Sequence, residues 1–255
     1  MQDTETPPPA PRTARLLIAG LGLLMVVMTT LVLVVALRSG KPVFRAIMLM
    51  ATGLVLLWCV LGGVVMYLVR DRVRRLVMSV PGWWAVKFVV FCTLLALAEE
   101  VVTTTMTNCA PLFGVPVGTA YATASANYFD VVCFHSVIVF VPMFIGWAWM
   151  LSRWDFHPSA VFLLFGLTGT FAETGFWPSK LGEAGMWVFV YGLMVYLPAY
   201  CLPLDRRMRS PRWWQYPAAV FVPVLFMVVL MLPYFLTRRW FHPQDVHFPP
   251  IRLEG

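Results

Sequence analysis

Residues Phe88 to Asn108 read FVVFCTLLALAEEVVTTTMTN, an apolar run of membrane-helix length with Glu99 and Glu100 side by side well inside it. An ionisable side chain at bilayer depth costs roughly 2.5 to 3.5 kcal/mol on insertion scales, so it faces protein or water and serves a function there. Two adjacent acids therefore predict an intramembrane polar site. The composition agrees with a membrane setting. Of 255 residues, 60% are hydrophobic and 12% charged, and the mean hydropathy of +0.78 is too high for a soluble domain of this size.

The net charge of +7 and pI near 9.4 come from short basic clusters between apolar runs. Such clusters set topology and meet anionic lipid, so the bilayer is the expected partner and nucleic acid is not. Cys59, Cys92, Cys109, Cys133 and Cys201 fall mostly within apolar segments without CxxC spacing, and they read as buried thiols.

Hydrophobic runs long enough to cross about 30 Å of hydrocarbon predict an all-α polytopic bundle of about seven transmembrane helices. The runs are Leu16 to Leu37, Ala46 to Val69, Trp84 to Met106, Phe129 to Leu151, Ser159 to Phe176, Met186 to Cys201 and Pro217 to Leu236. A polar, proline-rich tail at 1–15 is expected to be disordered, the membrane domain to cover 16–237, and a second tail to occupy 238–255. The first run is too long for a signal-peptide core and lacks a small-x-small cleavage site, so it is expected to be retained. Tryptophans such as Trp83, Trp84, Trp154, Trp213 and Trp240 fall near the expected ends, as interfacial belts do. A cytoplasmic N-terminus places Arg70, Arg72, Arg74, Arg75, Arg153, Arg206, Arg207, Arg209 and Arg212 inside, which predicts an inner-membrane protein with its C-terminus outside.

The uncharged segment Thr107 to Tyr128, TNCAPLFGVPVGTAYATASANY, has a composition suited either to a loop packed over the helices or to a plain connection. At about 1.5 Å rise per residue, Glu99 and Glu100 lie about 23 Å from the cytoplasmic end of the third run, His135 about 9 Å down the fourth, and Glu173 about 21 Å along the fifth. Three helices thus offer acid or imidazole groups at one depth. Glu99, Thr103 and Thr107, then Glu100, Thr104 and Asn108, form a broad polar face at helical spacing.

Asn127 and Asp130 lie at the start of the fourth run, where Asp130 is either a site residue or a helix N-terminal acid favoured by the dipole. The alternative roles are a neutral cross-helix bond for His135 and a bridge at the close helix contact marked by Gly166 and Gly169 for Glu173. His157, His242 and His247, in loops or the tail, read as peripheral.

Two carboxylates in low dielectric cannot both ionise easily, so the pair supplies an acid and a base near neutral pH, and His135 would help activate water for hydrolysis. Alternatively Glu99, Glu100, His135, Glu173 and Asp130 are candidate ligands for a divalent metal ion, the one cofactor the sequence suggests. There is no HExxH, no paired ExxH, no GxSxG and no Gly-rich phosphate loop.

At Glu99–Glu100 the chain resembles the CAAX prenyl protease and bacteriocin-processing family of intramembrane proteases. That family carries Glu-Glu-x-x-x-Arg on one membrane helix, Phe-x-x-x-His on a following one and a further His or Asn motif later. Here the Arg position holds Thr104, Val131 precedes His135 where the family has Phe, and Glu173 stands at the approximate place of the third motif. The resemblance implies a membrane-embedded hydrolase acting on a lipid-linked or peptide substrate, with Glu99, Glu100 and His135 at its centre. A proton or cation transporter using the same carboxylates is the alternative from a different class, and an accessory subunit of a membrane complex is a third.

Overall fold

A computed structural model describes residues 6–175, 182–206, 208–241 and 247–251, and every element among them is helical apart from two isolated bridges. Among these residues each of the seven apolar runs is helical, the fourth in two pieces. The first is α1, Arg12–Arg38, which begins directly after Pro11. The second extends well beyond its run: α2 (Pro42–Leu54) passes through a π-helical stretch, Val55–Gly62, into α3 (Gly63–Ser79). Pro42 opens it at a position where a missing N–H costs nothing. The Trp58 indole in the π stretch donates to the Val190 carbonyl at 3.0 Å.

Next come α4 (Trp84–Asn108), α5 (Tyr128–Phe134), α6 (Val137–Leu151), α7 (Pro158–Thr174), α8 (Ala184–Tyr200) and α9 (Gln215–Phe241). The fourth run, expected as one span, is broken: α5 and α6 meet at 43°. Among the described residues three helices, Arg12–Arg38, Pro42–Ser79 and Gln215–Tyr234, are long and apolar enough to cross a membrane, and the bent pair would make a fourth. Leu16, Leu23 and Leu31 of α1 are each more than half exposed. Long helices that leave such residues outside the core suggest a membrane protein.

The core lies where α7 packs on α8, α6 on α9, and α4 against both α6 and α8. Small residues make the α7–α8 contact close, as the sequence suggested. A Cβ on Gly166 would come within 2.6 Å of the Val188 carbonyl oxygen, and one on Gly169 would overlap the Tyr191 ring. The α7 helix stops at Gly175, whose φ of +61° suits glycine.

At the end where α3 and α8 finish, arginines satisfy the carbonyls that helix termini leave open. The buried Arg74 donates through one Nη to the Tyr200 and Leu202 carbonyls at 2.6 and 2.7 Å. Arg206 donates to the Leu151 carbonyl at the end of α6 and pairs with Asp155 at 3.1 Å.

Candidate functional site

Near its C-terminal end, α4 turns a hydroxyl-rich face toward the uncharged loop that follows. The Thr107 hydroxyl donates to the Thr103 carbonyl and accepts from the backbone amides of Ala122 and Thr123 at 3.0 and 3.1 Å. The Asn108 amide donates to the Ala126 carbonyl, and the Tyr128 hydroxyl reaches back to the Leu97 carbonyl. The segment is therefore a packed cover on α4, with a 3-10 turn at Ala110–Phe113 and Ala120 fully buried. Clamping it there brings Thr123 to the Glu100 carboxyl.

Glu100 is 4% exposed. Its Oε2 accepts from the Thr103 hydroxyl at 2.8 Å and the Thr123 hydroxyl at 3.4 Å, and Ser136 faces the same carboxyl. Glu99, also 4% exposed, has no hydrogen-bond partner for its carboxyl among the described residues, and it lines the same cavity as Glu100 and Glu173. Glu173 lies in the last turn of α7 and accepts a short hydrogen bond from the Tyr191 hydroxyl. The local sequence explains that contact. Gly169 and Glu173 are four residues apart on one face of α7, so the bare glycine seats the Tyr191 ring and the acid receives its hydroxyl.

His135 occupies the break between α5 and α6, with φ −125° and ψ −71°, and does not lie down a continuous helix as the sequence suggested. The amides of His135 and Ser136 both bond to the Val131 carbonyl, and a new helical ladder starts from the Ser136 carbonyl. The break turns the ring toward a residue that reads as peripheral in the sequence: His135 Nδ1 lies 2.8 Å from His247 Nε2. His247 belongs to a C-terminal stretch that lies on the loop, where the Phe248 amide donates to the Ala124 carbonyl and its ring stacks on Tyr121.

Glu99, Glu100, Thr103, His135 and Glu173 line one cavity of about 550 Å³ together with Thr123, Ser136 and Tyr191. Its remaining wall is apolar, including Phe140, Met143, Val224 and Met227, and no Lys or Arg lines it among the described residues. Thr104, Asn108, Asn127 and Asp130 are outside this lining. Thr104 buries a hydroxyl without a partner among the described residues, and Asn108 bonds the Thr104 and Ala126 carbonyls. Asn127 caps α5 by accepting from the Phe129 amide, and Asp130 sits in the first turn of that helix. Among the described residues no three His, Cys, Asp or Glu side chains are grouped to hold a metal ion, so the five candidate ligands do not form a coordination set in this geometry.

Three participants escape a reading by helical spacing: Tyr191, Thr123 and His247. For Tyr191 a signal exists, since a glycine four residues before an acid on a tightly packed helix invites a large polar aromatic from its neighbour. Compared with protein-family models, curated proteins and solved structures, the chain matches none.

Proposed function

We propose that this chain is a polytopic inner-membrane protein whose seven helical runs cross the bilayer, with a cytoplasmic N-terminus and an outward C-terminus. In this reading the carboxylate cavity hydrolyses a lipid-linked or peptide substrate. The observation that carries the proposal is the convergence of Glu99, Glu100, His135 and Glu173 on one cavity large enough for part of a substrate.

The roles follow from hydrogen bonding. Glu100, accepting from two threonine hydroxyls, is the carboxylate that takes a proton from water. Glu99, without a partner among the described residues, keeps a proton and gives it to the leaving group. His135 relays charge at the mouth, and Glu173, held by Tyr191, orients the water or the substrate. The apolar wall excludes bulk water and accepts an aliphatic portion of the substrate. The test is to reconstitute the protein with lipid and peptide extracts of its native membrane and compare products. The Glu99→Gln, Glu100→Gln and His135→Ala proteins should each lose the same products, and unchanged products in all three would sink the reading.

One observation favours a second reading. Three carboxylates without a lining Lys or Arg among the described residues suit a proton or a cation. Ion flux into liposomes that disappears in the Glu100→Gln protein, with no hydrolysis, would select transport.

A further inference from the structure

A second cavity, of about 950 Å³, lies between α1, α3, α7 and α8 and shares no lining residue with the carboxylate cavity among the described residues. The helices give it two unlike ends. Gly22 of α1 faces Phe189 of α8, and Gly185 faces Met25, so these helices run antiparallel. Gly63 of α3 faces Leu193, and the Tyr200 hydroxyl donates to Asp71 at 2.6 Å, so α3 runs parallel to α8. The start of α1 and the ends of α3 and α8 therefore meet at one end of the groove. From Phe189 to Tyr200 the groove extends about 16 Å along α8.

The Tyr200 end is cationic. Arg15 and Arg70 both line it, and neither has an ion-pair partner among the described residues. The Arg70 guanidinium carbon stands 4.0 Å from the centre of the Tyr67 ring and 5.3 Å from that of Tyr200. Rings against its face hold the guanidinium plane, whose N–H groups match a phosphate. Asp71 lines the same end with its carboxyl accepting from the Tyr200 hydroxyl, so two arginines stand against one carboxylate and the end keeps a net positive charge. The Phe189 end is apolar. A groove with two arginines at one end and an aliphatic channel leading away from them is complementary to an anionic amphiphile.

We propose that this groove binds an anionic phospholipid of the surrounding bilayer, its phosphate at Arg15 and Arg70 and one acyl chain along Gly22, Val60 and Leu193. The inference uses the membrane reading and is independent of the hydrolase reading, because no residue of the carboxylate cavity takes part.

The experiment uses the full-length protein in detergent with dioleoylphosphatidylglycerol, dioleoylphosphatidylcholine and soluble glycerol phosphate as probes, with binding read by native mass spectrometry. The expected result is saturable binding of phosphatidylglycerol, weaker by about tenfold or more for phosphatidylcholine. Arg15→Gln, on the exposed start of α1, and Arg70→Gln should each bring phosphatidylglycerol down toward the phosphatidylcholine level. Val60→Trp, filling the apolar end, should weaken both lipids with helical content unchanged. Equal binding of the two lipids, or full binding by the Arg15→Gln protein, overturns the charge match. Displacement of the lipid by glycerol phosphate at equal concentration overturns the acyl-chain part.

Discussion

His135 Nδ1 and His247 Nε2 lie 2.8 Å apart although 112 residues separate them. One ring must donate and the other accept, so the pair holds a single proton between the two nitrogens. The contact ties a C-terminal stretch to the helix break at the mouth of the carboxylate cavity, beside the Phe248–Ala124 backbone bond. Replacing His247 by Ala is expected to leave the core intact and to cost roughly 0.5 to 1.5 kcal/mol locally. Hydrogen exchange reads this directly: protection of the Phe248 amide should fall, while amides in the middle of α7 and α8 keep theirs.

The Gly169–Tyr191 contact gives a sharper effect. A methyl group on Gly169 would overlap the ring, so Gly169→Ala must push Tyr191 off α7 and away from Glu173. Overpacking of this kind costs roughly 1 to 3 kcal/mol. Gly20→Ala is the control, since nothing stands within 4 Å of the added carbon, and it should be neutral or slightly stabilising. Thermal midpoints in detergent compare them. Tyr191→Phe, which keeps the ring and removes the hydroxyl, should cost only about 1 kcal/mol of stability while, on the hydrolytic reading, lowering turnover.

Two threonines three residues apart should behave oppositely. Thr107→Val strands the Ala122 and Thr123 amides and unfastens the loop that brings Thr123 to Glu100. A loss of roughly 1 to 3 kcal/mol is expected, together with, on the hydrolytic reading, loss of activity. Thr104→Val removes a buried hydroxyl that has no partner among the described residues, so it should be neutral or stabilising and, on the hydrolytic reading, leave activity unchanged. Denaturation of both variants beside wild type checks the pair, and a severe loss in Thr104→Val would contradict the geometry.

Arg74→Met removes both bonds to the carbonyls closing α8. Hydrogen bonds from a charged donor are worth roughly 1.5 to 3 kcal/mol, and the stranded carbonyls should make this variant the least stable of the series. Arg74→Lys keeps a charged donor on a shorter stem and should fall between wild type and Arg74→Met.

Much of the helical architecture was legible because hydrophobic run length is set by composition. Among the described residues each of the seven runs is helical, from Arg12–Arg38 to Gln215–Phe241, the fourth in two pieces. The close approach at Gly166 and Gly169 was legible for a related reason, since small residues on an apolar helix mark where a neighbour comes near. The break at His135 was not. No Pro or Gly stands at residues 134–137, and the kink is made by the amides of His135 and Ser136 sharing one carbonyl. Neither was the second histidine, because a tail residue comes to the site through tertiary packing and not through periodicity. The acids could be read as a group from helical rise alone, but the unequal surroundings of Glu99 and Glu100 depend on a loop folding back over α4.

The most direct test of the hydrolytic reading uses water enriched in heavy oxygen. Wild-type and Glu99→Gln/Glu100→Gln proteins in liposomes of native membrane extract are incubated in that water, and the released lipids and peptides are examined by mass spectrometry. Hydrolysis places one solvent oxygen on a product, so heavy-oxygen products should form with wild type and be absent with the double variant. Equal labelling in the two samples, or none in either, would contradict a hydrolytic role for the glutamate pair.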